Sequence, residues 1–214
     1  MRPNSQNSEA KVPTMKNEKS PRFIVFEGID GAGKTTQLDL AEKALKDAGI
    51  DVFRTAEPTS GEIGKLLRRA LSGEIQKTPE ELALLFTLDR VEHNKEIEQA
   101  LASGKTVLCD RYYYSTIAYQ GAAAGFDWVK GMNLDCTRIR TPDLCIFLDL
   151  SPDESIRRIS ARGEAAEIYE TKAQLINIRD NFLNTLKTLP NVKIIDASGS
   201  PEEVAKKIKK VLGL

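Results

Sequence analysis

The sequence predicts an α/β fold, a five-stranded parallel sheet flanked by helices, on two observations. After Pro21, short apolar runs rich in β-branched residues alternate with longer stretches of helical periodicity, as in a parallel sheet joined by crossover helices. Between the first run and the first helix stands Gly28-Ile29-Asp30-Gly31-Ala32-Gly33-Lys34-Thr35. It fits the phosphate-binding pattern G-x-x-x-x-G-K-[ST] in its confirming context of a strand before and a helix after.

Each element follows from its own signal. The apolar run at 22–27 is the first strand, and the helix at 34–48 stops at Gly49. A second strand at 51–55 precedes a helix at 61–71, with Gly73 beyond it, and a long helix at 79–103 stopped by Gly104. The third strand, 106–110, is apolar until it ends in Asp110, and helices are read at 113–124 and 127–139. A fourth strand at 144–150 leads to a helix at 152–160, where Pro152 follows the capping residue Ser151. The chain closes with a helix at 170–189, a strand at 192–196, and a helix at 201–212 that starts on Pro201 after Ser200.

Composition bounds the rest. A chain of 214 residues, 41% hydrophobic and 29% charged, suits one soluble domain that buries roughly 70% of its unfolded surface. Residues 1–20 carry almost no large apolar side chains and include Pro3 and Pro13, so they are read as a disordered extension before a single domain at 21–214. The 31 basic and 31 acidic side chains cancel, which gives no field for nucleic acid or an anionic membrane. Cys109, Cys136 and Cys145 are odd in number and lack metal-ligand spacing, as expected of free, largely buried thiols in a reducing compartment. No apolar run approaches the roughly 20 residues that span a bilayer, so the expected location is cytoplasmic.

The phosphate loop carries the chemistry. Gly28, Gly31 and Gly33 let the backbone of Ile29, Asp30 and Ala32 turn its N–H groups toward a phosphate, where the helix N-terminus adds about half a positive charge. Lys34 then reaches the β- and γ-phosphates of a nucleoside triphosphate, Thr35 offers its hydroxyl to Mg²⁺, and Thr36 continues the cradle.

In an open parallel sheet, ligands gather at the carboxyl ends of the strands, where Gly28, Glu57, Asp110 and Asp196 emerge. Asp110 is read as a second metal-site residue and Arg111, a rigid fork beside it, as a phosphate ligand. Arg157, Arg158 and Arg162 lie within eight positions just before Gly163, which suggests a mobile lid over about 157–170 that delivers positive charge to the transferring phosphoryl group. Phe86 and Arg90, four apart on one helix face, form either a base-binding platform or part of the core. Tyr112, Tyr113 and Tyr114, with Tyr119, suggest the wall of a nucleoside pocket. His93, the only histidine, is read as a surface residue among helix charges.

Taken in order, these pieces resemble the thymidylate kinase family. The matching stretches are Phe26 through Gln37, Glu57-Pro58, Leu84-Leu85-Phe86 through Asp89-Arg90, and Asp110-Arg111-Tyr112 through Ser115-Thr116-Ile117-Ala118-Tyr119-Gln120. The resemblance covers nearly the whole chain after Pro21 and implies a phosphate-loop kinase fold with a mobile lid, which moves the γ-phosphoryl of ATP onto dTMP. It further implies that Phe86 stacks on thymine, Arg90 meets its O4, Thr116 approaches its N3 edge, and Tyr119 lies where a ribose 2′-hydroxyl would clash. By the same match Asp30 touches the 3′-hydroxyl or the metal shell, and Arg111 the 5′-phosphate. Glu57 and Ser115 belong to the acceptor pocket, the Tyr169-Glu170 pair lies near the sugar, and Ala197 to Ser200 border the adenine. A homodimer through helices on one sheet face is also implied.

Two departures qualify the resemblance. Some family members carry an arginine where this chain has Gly31, so the transition-state charge falls here to the lid, chiefly Arg162 with Arg157 or Arg158, and an arginine placed at 31 is expected to restore part of a lost lid. Many bacterial members have an arginine where this chain has Ala56, and Arg68 or Arg69 on the next helix is expected to supply that cation. Two alternatives stand beside this reading. One is a deoxynucleoside kinase in which Glu57 is a general base on a neutral 5′-hydroxyl, the other a nucleotide-binding ATPase without an acceptor pocket.

Overall fold

The structure is a computed structural model that describes residues 20–162 and 171–214, the side chain of Arg162 excepted. The predicted N-terminal extension, and the lid positions Gly163, Tyr169 and Glu170, lie outside the described residues. The sheet order is β2-β3-β1-β4-β5, all parallel, with β1 (Phe23–Glu27) in the centre, β2 (Val52–Ala56) and β3 (Thr106–Asp110) on one side, and β4 (Leu144–Asp149) and β5 (Val192–Asp196) on the other. All five residues of β1 are buried, as a strand covered on both faces requires.

Right-handed crossovers place the helices. On one face α1 (Lys34–Asp47) packs with α8 (Pro201–Leu212). The connections that run the other way put α3 (Pro79–Ala102), α4 (Tyr113–Ala124) and α7 (Lys172–Leu186) together on the opposite face. The remaining helices are α2 (Glu62–Leu71), which packs on α3, α5 (Phe126–Leu134), which packs on α4, and α6 (Pro152–Arg162), which packs on α7.

The punctuation read from the sequence is present. Gly49, Gly73 and Gly104 follow α1, α2 and α3 with φ of 76°, 77° and 86°, the left-handed conformation that ends a helix. The Ser200 hydroxyl accepts from Glu203 N while Glu203 caps back to Ser200 N, and Ser151 Oγ accepts from Glu154 N at 3.3 Å. The three thiols are free.

Two expectations change. The helix read at 127–139 ends at Leu134, because the chain must unwind before Pro142 and enter β4, where Phe23 N donates to Asp143 Oδ2 at 2.9 Å; only a turn from Ile139 N to Cys136 O remains. His93 is not on the surface. It is 2% exposed beneath the loop after β2, where its ring nitrogens meet Thr55 Oγ1 at 2.7 Å and Glu57 Oε1 at 2.9 Å.

Candidate active site

β1 delivers the phosphate loop at the carboxyl edge of the sheet, and the loop's last glycine, Gly33, caps α1 with φ 90°. Lys34 Nζ donates to the carbonyls of Gly28 at 3.0 Å and Ile29 at 3.2 Å and lies 4.0 Å from Asp30 Oδ1. Burial and then the neighbouring Arg111 lower its affinity for a proton, and Asp30 and Asp110 oppose that shift. Thr35 and Thr36 are exposed at the start of α1.

β3 brings Asp110 and Arg111 alongside, since Phe26 pairs with Asp110 across the ladder. Asp110 Oδ1 is buried and has no hydrogen-bond partner among the described residues. Arg111 sits at φ 66°, in the left-handed region a bulky side chain occupies only when its surroundings impose it. Its guanidinium donates to Asp30 Oδ1 and to Ser115 Oγ at 3.1 Å, and it lies over the Tyr119 ring, 5.5 Å from the centroid. Tyr119 in turn donates to Asp30 Oδ2 at 3.3 Å and stands edge-on to Phe182. Burial alone would raise the Asp30 carboxyl, but Arg111 and Lys34 hold it below the usual carboxylate range.

These groups open on a cavity of about 630 Å³. It runs from Asp30, Gly31 and Lys34 through Arg111 to Phe86, Arg90, Thr116 and Tyr119. At its far end a buried polar cluster orients Arg90: Nε and Nη2 donate to Glu57 Oε2 at 2.9 and 2.5 Å, Nη1 to Asn133 Oδ1 at 2.6 Å, and Nη2 also to Thr116 Oγ1 at 3.1 Å. Glu57 therefore has one oxygen on Arg90 and the other on His93, an anchor's arrangement rather than that of a general base. Phe86 packs on Leu67, Ala70 and Leu82 and also lines the cavity.

A second cavity, of about 440 Å³, lies on the other side of the loop. Gly31, Gly33 and Thr36 line both cavities, and here they face Arg157, Arg158 and the 197–201 turn after β5. Glu154 orients the two arginines, accepting from Arg157 Nε at 2.7 Å and Arg158 Nε at 2.8 Å, and these bonds pull its carboxyl down to about 2. Arg158 Nη2 also reaches Ala197 O at 3.1 Å, whereas Arg157 is largely exposed.

Several predicted site residues lie elsewhere. Arg69 turns outward to Glu74 at 2.8 Å, and Arg68 is spent on the carbonyls of Pro58 and Thr59, so neither is brought to the cavity to stand in for the cation absent at Ala56. Of the tyrosine wall, Tyr112 and Tyr119 line the cavity, but the consecutive Tyr113 and Tyr114 at the start of α4 do not line it and are buried in the core. The arginine imagined at position 31 has no room. Gly31 has φ 76°, and a Cβ there would lie 2.8 Å from Ser155 O. Sequence reasoning missed His93, Asn133, Glu154 and Ser155. For His93 a signal existed, since it falls three residues after Arg90 on the face that carries Phe86.

The comparisons with known proteins agree with this geometry. The thymidylate kinase family model matches residues 26–208. A probable thymidylate kinase of Pyrococcus horikoshii is 42% identical over 189 residues, covering 85% of this chain and 91% of that protein. A thymidylate kinase of Desulfotalea psychrophila is 40% identical over 189 residues, 87% of this chain and 92% of its own length, and one of Leptospira interrogans is 45% identical over 170 residues, 78% and 82%. With the phosphate loop, the Arg90 pocket and the Asp110-Arg111 edge in one continuous site, the chain belongs to the thymidylate kinase family, whose members phosphorylate dTMP to dTDP.

Proposed function

We propose that the 630 Å³ cavity takes dTMP, that the 440 Å³ cavity takes the adenosine of ATP, and that the phosphate loop between them is where the γ-phosphoryl crosses. The observation that carries this division is the shared lining: Gly31, Gly33 and Thr36 belong to both spaces. The acceptor is already an ionised phosphate, so the work is alignment and charge neutralisation, with no strong base required. Lys34 and the backbone of Gly28 to Gly33 hold the donor phosphates. Arg111, steadied by Asp30 and by the Tyr119 face, holds the 5′-phosphate of the acceptor. Arg90 and Thr116 read the base and Phe86 covers it, while Tyr119 and Ser115 border the sugar and phosphate.

Asp110, with its unsatisfied buried oxygen, and the exposed Thr35 hydroxyl are the residues that would hold a Mg²⁺. When bound, such an ion would supply positive charge against the negative charge of the transferring phosphoryl group. Arg158 and Arg157, with Arg162, supply positive charge on the donor side, and the Tyr169-Glu170 pair, by the family resemblance, belongs near the acceptor's sugar. We place the enzyme in the cytoplasm, as a homodimer.

The test is coupled ADP release with ATP and dTMP. Lys34→Ala should lower kcat by about 10²–10³-fold with an unchanged circular dichroism spectrum, because it removes preorganised charge at the start of α1 and no apolar core side chain. Turnover at the wild-type rate in the folded variant would sink the assignment, and ADP release undiminished when dTMP is omitted would favour an ATPase without an acceptor.

A further inference from the structure

Glu27, the last residue of β1, is a fully buried carboxylate that lines neither cavity and has no part in the transfer described above. Its two oxygens are nonetheless directed at the segment that carries Arg111. Oε1 accepts from Tyr112 N at 2.8 Å and from Ser115 N at 3.2 Å, and Oε2 accepts from the Ser115 hydroxyl at 2.7 Å. We propose that Glu27 is a positioning residue that sets Arg111 for the acceptor phosphate, acting through both its backbone and its side chain; this rests on the reading that Arg111 binds that phosphate.

The backbone half comes from bracketing. Arg111 N donates to Phe26 O at 2.9 Å, and the next amide, Tyr112 N, donates to Glu27. Two successive residues of the most buried strand thus hold the peptides on either side of a non-glycine residue at φ 66°, a conformation that persists only when over-determined. The N-terminus of α4 has no side-chain cap of its own, so the Glu27 carboxylate also supplies the missing acceptor to its first turn. The side-chain half runs through Ser115. Its hydroxyl gives its proton to Glu27 and thereby turns a lone pair toward Arg111 Nη1, 3.1 Å away. The other guanidinium nitrogen is held by Asp30, so the fork is fixed at both ends. An amide at position 27 would present a donor to Ser115, reverse that hydroxyl and release one end of the fork.

A residue that merely stabilised the fold would affect every ligand alike, whereas one acting through Arg111 affects only ligands that carry the phosphate. The experiment measures dTMP and thymidine binding by titration calorimetry at pH 8 for wild type, Glu27→Gln, Arg111→Ala and the double variant, each checked for folding by circular dichroism. Glu27→Gln should weaken dTMP by about tenfold, the size expected for loosening a charge-assisted contact, and thymidine by less than twofold. In the Arg111→Ala background it should have no further effect on the dTMP-to-thymidine ratio. Equal loss for both ligands, or a loss of the same size in both backgrounds, would overturn the proposal and leave Arg111's role standing. An Arg111→Ala variant with no preference between the two ligands would overturn the reading of Arg111 and this proposal with it. If Glu27→Gln does not fold, Glu27→Asp, which draws the carboxylate back from Ser115, must show the same split.

Discussion

At the scale of single residues, the site depends on charges buried deeply enough for their protonation to matter. Glu27 is the clearest case. Burial drives its carboxyl up to about 7 from an ordinary value of 4.5, opposed by Arg111, Ser115, Tyr112 and Lys34. Between those two values the unfolded chain has released this proton while the folded chain retains it. The group's contribution to stability is therefore fully present below pH 4.5 and is lost as pH rises through 7. Thermal unfolding measured from pH 5 to 8 should accordingly show a steeper fall in Tm for wild type than for Glu27→Gln, which cannot titrate; parallel curves would mean the carboxyl is not raised.

At the scale of elements, α6 is fastened to the phosphate loop rather than merely placed near it. The fully buried Ser155 donates from Oγ to Asp30 O at 2.5 Å, and the α6 backbone at Ser155 closes over Gly31. That close approach needs a residue with no Cβ and a positive φ. Gly31→Ala should lose about 1–2 kcal/mol from the left-handed backbone alone, with further loss from the contact on Ser155 O, and Gly31→Arg should fail to rescue a lid variant such as Arg158→Ala. Chemical denaturation and steady-state kinetics of these variants check both outcomes. Recovery of kcat in Gly31→Arg with Arg158→Ala would show that α6 yields at this point.

At the scale of the whole molecule, the parallel sheet brings three distant segments to one edge, and on one face α3 keeps two large apolar side chains exposed. Leu84 and Leu88, four residues apart on α3, are 54% and 46% exposed, and the same helix carries Phe86 and Arg90 inward. If the homodimer forms through this face, Leu84→Glu with Leu88→Glu should shift sedimentation from dimer to monomer while circular dichroism stays unchanged. Wild type that sediments as a monomer at micromolar concentration would remove the dimer from the reading. Among the described residues no helix is long and apolar enough to cross a membrane.

By itself the sequence determined what local chemistry determines. The strand-loop-helix at Phe26 to Thr36, the glycine helix stops, the Ser200 cap and the alternation of strands and helices are each encoded within a few consecutive residues, and the family resemblance follows from their order. Tertiary structure decided what depends on partners far along the chain. His93 became a buried ligand of Glu57, 36 residues away, because α3 passes beneath the loop after β2, and Glu27 reached Ser115, 88 residues away, because β1 and β3 are neighbours in the sheet. Arg69 left the site for a local acceptor, and Gly31 was closed to any side chain by a helix that begins more than 120 residues later. Short-range spacing records what a residue can do, and the packing of distant elements selects which buried charges are paired and which face the ligand.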